Sequence, residues 1–408
     1  MRTLILYRKL FYMGMDFHPN HKFNMMDSFS IHHIAPFIVK GQLSGHSYAV
    51  PALCEAVSNN IDTHLHTAGK NNLVFKPSFK VHEYRIDFML KSILSSQKFK
   101  SGLKKLTNDG DIIHSHGLWR MPHIYSLSVK KRKNIKIVNS PKGSFAKEAL
   151  SVSRYKKILF NIFSNQNKML SNCDAFHATS LKEKDEIRSL GYKQPIAVIP
   201  EGIDIPKEKK TNFTREKTKF LYLGRIHPIK GLDLLIKTWS RIELENKNCT
   251  LEICGYYEDI SYYKFLQDLI KKFGLKNISF TDKVSGLKKQ EKYLSNDVFI
   301  IPSQSENFGL VIAEAMSYGL PVIVSEETPW HVVKKNNYGW VVSLNQDDIY
   351  SAILAANSLN KNDLKNMGQL GRTYIKDYFS WNVLSKDYLA FYDWVRNGGS
   401  TPSFMDIF

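Results

Sequence analysis

Two carboxylates lie eight positions apart in the second half of the chain, at Glu306 and Glu314. The apolar run Val298–Ile301 precedes them, and an apolar segment rich in helix formers lies between them, which predicts a strand, a loop and a helix. Glu306 then lies in the loop at the carboxyl end of the strand, and Glu314 lies about two turns into the helix. Gly309 lets the backbone approach a ligand closely, and the free N–H groups of a helix start favour an anion. One acid can therefore reach a reacting group while the other binds a polar group such as a ribose. Two solvated helix acids are the alternative.

Two cations accompany another predicted strand-to-helix turn, which runs from Phe220 to Gly231. Arg225 and Lys230 flank this turn and can converge on a pyrophosphate. The guanidinium offers a planar fork of donors and the ammonium offers a point charge, so both suit phosphate oxygens. Two unrelated surface cations beside a turn are the alternative.

Both patterns resemble those of the retaining glycosyltransferases of family 4. The chain matches the family pattern E-x-F-G-x-x-x-x-E-A-x-x-x-G-x-P-V from Glu306 through Val322, and it matches G-R-x-x-x-x-K-G from Gly224 through Gly231. The second motif lies about 75 residues before the acid pair, as the family pattern requires. The resemblance therefore covers two independent motifs in the expected order.

The resemblance implies roles in binding a nucleotide diphosphate sugar. The first acid contacts the donor sugar, the second contacts the nucleotide ribose, and the two cations stabilise the departing diphosphate without a divalent metal. The backbone near Thr281 contacts the base. The donor-binding residues implied in this way are Arg225, Lys230, Val284, Asn307, Phe308, Gly309, Leu310 and Glu314, with Glu306 as a catalytic residue.

A third pattern places histidines at the end of a predicted strand, in the string D-x-x-H-x-H-G-L-W from Asp111 to Trp119. Alternation along the strand puts His114 and His116 on one face, and a structural role is the alternative for each. The string closely resembles a family 4 pattern. The resemblance implies that His116 projects into the cleft near the donor sugar as a second catalytic residue, and that Trp119 and Arg120 line the acceptor side.

Loops of the first half supply further candidates for contact with the acceptor or with phosphate. Gly41 and Gly45 form a G-x-x-x-G where the family has a paired-glycine loop that touches the diphosphate. Lys142 follows a predicted strand and Arg154 begins a predicted helix, and both positions suit contact with an anion. A solvated helix is the alternative for Arg154. Glu201 stands where the family usually has asparagine, and its role is left open.

A metal site is not expected. Asp109-Gly110-Asp111 is formally a D-x-D, the metal-binding signature of the other large glycosyltransferase fold. It precedes its strand instead of following it, so it is predicted to be a turn. The cysteines are scattered without the spacing of metal ligands or disulfides, which suits a reducing cytosol. We expect no cofactor, with the nucleotide diphosphate sugar as a substrate.

Charge is unevenly spread along the 408 residues, whose formal net charge is +19. Residues 1–205 carry 30 Lys and Arg against 15 Asp and Glu, and residues 206–408 carry 27 against 23. A basic first half attracts anionic lipid, nucleic acid or phosphorylated ligands, and a lysine-rich soluble surface is the alternative. Aromatic residues do not interleave with the lysines as they do in a platform for single-stranded nucleic acid. We therefore expect contact with an anionic membrane surface and none with nucleic acid.

The chain lacks a run of 18 apolar residues, so a membrane-spanning helix is not expected. Residues 1–27 are basic and apolar but have no small-residue cleavage site. We expect them to be an upstream extension or a short amphipathic anchor. The expected location is cytoplasmic, at the inner face of the cytoplasmic membrane.

Short apolar runs alternate with amphipathic segments, which predicts an α/β fold. We expect an acceptor-binding domain at 28–205 and a nucleotide-sugar-binding domain at 206–378, both Rossmann-like. The resemblance implies the GT-B fold, with a cleft between the domains and a C-terminal helix, within 379–408, that crosses back; the tail after it is predicted to be frayed. The strands predicted for the first domain are Phe29–Ile34, Ile112–His116, Ile135–Ser140, Ala175–Thr179 and Ala197–Ile199. Those predicted for the second are Lys219–Leu223, Thr250–Cys254, Ile278–Thr281, Val298–Ile301, Val322–Val324 and Trp340–Val342. The predicted helices between strands include Tyr48–Ser58, Ile124–Lys130, Tyr155–Ser171, Lys182–Leu190, Gly231–Ile242 and Tyr262–Phe273.

These expectations describe a retaining, metal-independent glycosyltransferase. It would move a hexose-type sugar to a glycan acceptor, such as a polyprenyl-diphosphate-linked glycan, in the synthesis of O-antigen, capsule or exopolysaccharide. One alternative is a sugar-nucleotide epimerase or phosphorylase of the same fold. The other is a basic, non-enzymatic protein that binds nucleic acid or carbohydrate. The set of Arg225, Lys230, Glu306 and Glu314 argues against both.

Overall fold

The computed structural model describes residues 29–38, 45–70, 73, 75–213, 217–245, 247–257 and 259–408. These residues form two compact α/β units. The first unit runs to Gly202 and resumes with Trp381–Phe408, and the second unit is Ile203–Ser380. Gly41 and residues 1–27, for which roles were expected, lie outside the described residues.

The first unit is built on one sheet. Its strands are β1 Ser30–Ile34, β2 Asp62–Ala68, β3 Lys80–Tyr84, β4 Ile112–His116, β5 Lys136–Ser140, β6 Ala175–Ala178, β7 Ile196–Val198 and a C-terminal strand Met405–Asp406. The order across the sheet is C-terminal strand, β7, β6, β5, β4, β1, β2, β3. Neighbours run parallel, except that the C-terminal strand is antiparallel to β7.

Helices connect most of these parallel strands, which need crossover connections. They are α1 Gly45–Ser58, α2 Gln97–Leu106, α3 Met121–Lys130, α4 Lys147–Ser151, α5 Arg154–Ser164, α6 Gln166–Ser171 and α7 Leu181–Ser189, with a 3₁₀ helix at Phe88–Ile93. Gly45, a predicted phosphate contact, is the first residue of α1. The prediction of one helix over Tyr155–Ser171 was wrong, because Asn165 adopts a left-handed conformation, with φ of 60°, that separates α5 from α6.

The prediction of a frayed C-terminal tail was also wrong. Met405 pairs with Ala197 in the sheet, and the side chains of Phe404 and Met405 are buried. The guanidinium of Arg188 donates to the Asp406 carboxylate at 2.8 Å. An edge strand and a partly buried ion pair therefore hold the end of the chain.

The second unit is built on an entirely parallel sheet. Its strands are β8 Thr218–Leu223, β9 Cys249–Cys254, β10 Ile278–Thr281, β11 Val298–Ile301, β12 Val322–Ser325 and β13 Gly339–Val342. The order is β10, β9, β8, β11, β12, β13. The central strands β8, β11 and β12 are apolar and buried, as expected for a sheet covered on both faces.

Helices again follow the strands of the second unit. They are α8 Leu232–Leu244, α9 Ile260–Phe273, α10 Gly286–Ser295, α11 Leu310–Ser317, α12 Val332–Lys335, α13 Gln346–Ser358 and α14 Lys361–Phe379, with a 3₁₀ helix at Pro228–Lys230. The last helix, α15 Trp381–Asn397, belongs to the first unit and packs against α1. Within the described ranges, none of the helices combines the length and the apolar content that a membrane span needs.

Each sheet has one place where the chain changes direction across the sheet. In the first unit the chain builds β1 to β3 on one side and then crosses to β4 beside β1. In the second unit it builds β8 to β10 on one side and then crosses to β11 beside β8. In open α/β sheets, ligands bind at the carboxyl ends of the strands at such a switch point. The two switch points are therefore the first places to look for a site.

Candidate active site

The strands β8 and β11 bring the two strongest motifs together. They are parallel neighbours, with Val298 opposite Phe220 and Phe299 opposite Leu221. Their carboxyl ends therefore open at the same edge of the sheet, and the loops 224–231 and 302–309 leave from there. This edge is the switch point of the second unit.

A lysine and a glutamate from these two loops meet directly. The Nζ atom of Lys230 lies 2.6 Å from Oε1 of Glu306, and the two side chains are 14% and 11% exposed. Close packing of the loops fixes this contact. Gly231 has a φ of +68°, and a Cβ there would lie 2.2 Å from the carbonyl oxygen of Pro302. The backbone N–H of Gln304 donates to the carbonyl of Ile229 at 2.7 Å.

Arg225 lies in the same loop as Lys230. Its backbone carbonyl accepts a hydrogen bond of 2.7 Å from the buried hydroxyl of Tyr222. Burial raises the pKa of Tyr222 well above its ordinary value; the charge of Glu306 adds to the rise, and the charge of Arg225 opposes it. The guanidinium and the carboxylate therefore act on the same hydroxyl, so both charges lie near the carboxyl end of β8.

The loop that carries Glu306 is held from its buried side. Gly309 adopts a φ of +80° at the start of α11, and a Cβ there would lie 2.9 Å from Cδ1 of Ile312. The indole N–H of Trp330 donates to the carbonyl of Phe308 at 2.6 Å, and the Phe308 ring is buried. Phe308 thus supports the loop from inside. Asn307 and Leu310 are half-buried on either side of this anchor.

Glu314 lies in α11 and meets the neighbouring helix α10. It accepts hydrogen bonds from Nζ of Lys289 at 2.6 Å and from the hydroxyl of Tyr293 at 3.0 Å. Burial and the Glu314 carboxylate raise the pKa of Tyr293 well above its ordinary value. The sequence predictions missed both partners, because α10 was not among the predicted helices. Their spacing of four residues on one helix was the available signal. Val284 is half-buried in the segment that precedes α10.

The switch point of the first unit places His116 in the interior. Its imidazole is fully buried, and its Nε2 lies 2.9 Å from Nδ1 of His33 on β1. A buried imidazole offers no surface to a sugar, so the expected projection into a cleft is not seen in this structure. The catalytic role of His116 stays a prediction.

Trp119 and Lys142 both adopt left-handed backbone conformations, with φ of 66° and 54°. The backbone N–H of Trp119 donates to Gln166 at 2.8 Å, and its ring is half-buried. The ammonium of Lys142, expected to contact phosphate, is instead paired with the carboxylate of Glu201. These two side chains are 1% and 5% exposed. The glutamate whose role was left open by the sequence therefore neutralises a buried lysine.

The D-x-D string forms a turn, as predicted. Gly110 has a φ of +86°, and the Asp111 carboxylate accepts hydrogen bonds from the backbone N–H groups of Ser30 at 2.8 Å and Asn108 at 2.6 Å. These bonds lie at the amino ends of β1 and β4, away from the switch point.

Two groups of buried histidines are the candidates for holding a metal among the described residues. They are His32, His64 and His66 on one face of the first sheet and His33, His114 and His116 on the other, each with ligand atoms within 4.8 Å of one another. Hydrogen bonds already connect two members of the first group in a line from Asp111 through His32 and His66 to the hydroxyl of Tyr84, at 3.3, 2.9 and 3.0 Å, and the third member, His64, bonds to Asp62 and His82. Ring nitrogens that alternate as donor and acceptor satisfy this line. Burial is the first cause that lowers the pKa of His66, His114 and His116.

Comparison with known proteins agrees with this geometry. The model of the family described as Glycosyltransferase Family 4 matches residues 50–207, and the model described as Glycosyl transferases group 1 matches residues 204–374. The two matched segments divide the chain close to the border of the two units. The chain belongs to glycosyltransferase family 4. The α/β architecture with two Rossmann-like domains is the GT-B fold.

Solved structures of other proteins show the same fold. The sucrose-phosphate synthase of Thermosynechococcus elongatus superimposes with a TM-score of 0.74 at 17% identity, over 91% of this chain and 100% of that one. The Anabaena protein HepE, solved in complex with UDP and glucose, superimposes with a TM-score of 0.71 at 14% identity, over 89% and 99%. Identities this low carry the fold and no more.

A curated relative is closer in sequence but matches over a shorter segment. An uncharacterised glycosyltransferase of Methanocaldococcus jannaschii is 35% identical over 156 residues, which is 36% of this chain and 39% of that protein. The chain thus spans about two-fifths of that relative. Substrates and reaction therefore follow from the site and not from any single relative.

Proposed function

We propose that this family 4 protein is a retaining glycosyltransferase that moves a hexose-type sugar from a nucleotide diphosphate sugar to a glycan acceptor. The observation that carries the proposal is the contact between Lys230 and Glu306 at the switch point of the second unit. A cation for a diphosphate and a carboxylate for sugar hydroxyls lie side by side there. Arg225, in the same loop as Lys230, supplies a second cation, and Glu314, in the helix after the Glu306 loop, supplies a second acid.

Each partner of the pair has a natural replacement when a donor binds. The diphosphate oxygens replace Glu306 as acceptors of hydrogen bonds from the Lys230 ammonium. Sugar hydroxyls replace Lys230 as donors to the Glu306 carboxylate. Both groups exchange one charge-assisted hydrogen bond for another. The ribose hydroxyls donate to Glu314, which Lys289 and Tyr293 hold in place.

The reaction breaks the bond between the anomeric carbon and the phosphate oxygen and forms a bond from that carbon to the acceptor oxygen. Negative charge grows on the departing diphosphate, where Lys230 and Arg225 stabilise it. The acceptor attacks from the side on which the diphosphate leaves, so the configuration is retained, and its proton passes to the leaving phosphate oxygen. The protein supplies position and charge, and two cations can do so without a divalent metal.

We further propose that the acceptor is a polyprenyl-diphosphate-linked glycan of cell-surface polysaccharide synthesis, reached at the inner face of the cytoplasmic membrane. The excess of basic residues in 1–205 supports attraction to an anionic surface. The fold shared with HepE, whose structure holds UDP and glucose, supports a nucleotide sugar as donor.

The decisive experiment replaces Lys230 with alanine. A panel of UDP-, GDP-, ADP- and dTDP-sugars is first screened for thermal protection and hydrolysis by the unaltered protein. With the best donor, Lys230→Ala should lower turnover by about 10²- to 10³-fold, because removal of a preorganised charge at a leaving group costs that much. Lys237→Ala is the matched control. Lys237 lies about two helix turns past Lys230, pairs with Asp233 at 3.2 Å, and should keep turnover within twofold.

Two further readings separate the parts of the proposal. The anomeric configuration of the product, read by NMR, tests retention, and turnover after chelation tests metal independence. Turnover of Lys230→Ala within twofold of the unaltered protein would contradict the assignment of Lys230 to the active site. A rearranged nucleotide sugar without an acceptor-dependent product would favour an epimerase instead.

A further inference from the structure

The helix α5, Arg154–Ser164, carries its apolar residues on the outside. Tyr155, Ile158, Leu159, Ile162 and Phe163 are between 44% and 83% exposed. Soluble proteins rarely leave a contiguous apolar surface of this kind uncovered, and such patches mark sites of interaction. Leu244 and Leu287 are also exposed, but they stand apart from one another on different helices. A shorter exposed apolar group, Phe88, Met89 and Leu90, lies on the 3₁₀ helix Phe88–Ile93.

The opposite face of α5 is fixed to the protein. The ring of Phe160 packs edge-on against Trp119 with centroids 6.4 Å apart, and the ammonium of Lys157 lies 5.7 Å from the same ring centroid. Asn161 accepts a hydrogen bond from the side chain of Gln166 at 3.1 Å. Ser164 is buried. These contacts set the rotation of the helix, so the apolar face cannot turn inward without breaking them.

The positions on the helix form an ordered pattern. At about 100° per residue, the five exposed apolar side chains span an arc of roughly 140°. Arg154 and Lys156 lie on the two flanks of this arc, and both are exposed. An apolar stripe with a basic residue on each flank is the pattern of a helix that lies in the plane of a membrane surface.

We propose that α5 is a lipid-binding site that inserts its apolar stripe among the headgroups and upper acyl chains of an anionic bilayer. Arg154 and Lys156 then reach lipid phosphates at the level of the headgroups. Charge complementarity selects this occupant, because the flanks are basic and the first half of the chain carries twice as many basic as acidic residues. The inference deepens the proposed function and rests on its membrane-linked acceptor. It also gives Arg154, predicted as an acceptor contact, a role at the membrane.

Vesicle sedimentation tests the proposal directly. The full chain is mixed with vesicles of phosphatidylcholine alone or with vesicles in which about a third of the lipid is anionic phosphatidylglycerol. The unaltered protein should bind the anionic vesicles and bind neutral ones more weakly. Ile162→Glu with Phe163→Glu should reduce partitioning by about tenfold or more, because two charges replace buried apolar area.

The matched control is Leu244→Glu with Leu287→Glu. These residues have exposures of 82% each, close to the 81% of Phe163, and they lie on α8 and α10 of the second unit. The control variant should keep vesicle binding within twofold. Arg154→Gln with Lys156→Gln should weaken binding to anionic vesicles selectively, and circular dichroism verifies that each variant is folded.

The outcomes distinguish this inference from the proposed function. Lys230→Ala should lose turnover but keep vesicle binding, whereas the double glutamate variant of α5 should keep protection by the donor sugar. Equal vesicle binding by the α5 variant and the control would overturn the inference while leaving the transferase proposal intact. A change from dimer to monomer in the α5 variant, without a change in vesicle binding, would assign the stripe to a second copy of the chain and would also overturn it.

Discussion

The two sheets of this protein have a similar strand order, but the side chains buried on them differ in kind. In the first unit, imidazoles from β1, β2, β4 and β6 lie inside, hydrogen-bonded to one another and to tyrosine and serine hydroxyls. In the second unit the corresponding central strands, such as Val298–Ile301, are aliphatic and aromatic. The first interior therefore depends on satisfied polar groups, which fix geometry at a cost if any partner is lost. The second depends mainly on apolar packing, although it also buries the ion pair of Lys210 and Asp297, whose side chains are 1% and 0% exposed.

One lysine–glutamate pair in each unit shows a related difference, which is the exposure of the two side chains. Lys142 and Glu201 are almost completely buried, whereas Lys230 and Glu306 keep 14% and 11% of their surface exposed. Water or a ligand cannot replace a partner in the first pair without opening the protein. In the second pair a ligand can do so. The same two residue types thus serve structure in one unit and are available for binding in the other.

The largest effect that we expect is a loss of stability of the first unit in acid. Burial lowers the pKa of His33 to about 3 and lowers those of His66, His114 and His177. These groups stay neutral in the folded protein but take up protons in the unfolded chain below about pH 6.5. The contribution of these histidines to the free energy of unfolding is therefore complete above about pH 6.5 and is lost as the pH falls below that value. The loss is up to about 1.4 kcal/mol per pH unit for each such histidine.

Urea unfolding at pH 7.5, 6.5 and 5.5 measures this loss, and hydrogen exchange followed by segment locates it. Peptides from β1 and β4 should lose protection before peptides from β8 and β11, after correction for intrinsic exchange. The second unit is the internal control, because its described histidines, His227 and His331, lie outside its sheet. Equal loss in both units would contradict the contrast drawn between the two interiors.

The next effect concerns the buried pair. Glu201→Gln leaves the ammonium of Lys142 buried without a counter-charge, and removal of one partner of such a pair costs about 3–5 kcal/mol. Urea unfolding at pH 7.5 measures the change in the free energy of unfolding. The double variant Lys142→Met with Glu201→Leu carries neither charge. It should recover most of the free energy of unfolding that Glu201→Gln loses. A single variant that loses less than about 1 kcal/mol would mean that the pair is open to solvent.

Much of this arrangement could be predicted from the sequence where the signal is local. The apolar run Val298–Ile301 coincides with β11, because a buried parallel strand needs continuous apolar residues. The predicted strand Ile278–Thr281 coincides with the edge strand β10, in which apolar and polar residues alternate. The loop after β11 and the glycine at its end also follow from local chemistry. The strands β2 and β3 were missed, since histidine, threonine and lysine interrupt their apolar pattern. Some of their polar side chains are accommodated through partners on other strands, as His66 is by His32 on β1.

Contacts between distant parts of the chain could not be predicted in the same way. Lys142 and Glu201 are 59 positions apart, and nothing in either local sequence indicates the other. The burial of the histidines on β4 depends on α15, where the hydroxyl of Tyr392 lies 2.9 Å from Nδ1 of His114. The alternation of His114 and His116 indicated a shared face, but not that tyrosines from the end of the chain would cover it.

The partly exposed pair of Lys230 and Glu306 should behave in the opposite way to the buried pair of Lys142 and Glu201. Glu306→Gln should lower turnover with the best donor by about 10²-fold, because an amide accepts sugar hydroxyls less strongly than a carboxylate. Its free energy of unfolding should change by less than about 1 kcal/mol, since the partner lysine can reach water. Steady-state kinetics and urea unfolding of the same preparation give both values. Glu327→Gln, an exposed change on the surface after β12, is the control and should alter neither. A loss of stability as large as that of Glu201→Gln would remove the distinction between the pairs.

The smallest effect tests how finely the rim of the second unit is positioned. Lys289 does not touch the donor in the proposal, but its ammonium holds the Glu314 carboxylate at 2.6 Å. Lys289→Met leaves Glu314 with the Tyr293 hydroxyl alone, and the lost orientation should weaken donor binding about threefold, the scale of a partly exposed ion pair. Calorimetric titration with the donor measures this change, and kcat should stay within twofold because the reacting atoms are distant from the ribose. The neighbouring Lys288 is exposed, so Lys288→Met is the matched control, and Lys289→Arg should restore most of the affinity. Tighter binding by Lys289→Met would mean that the lysine competes with the ribose for Glu314 instead of positioning it.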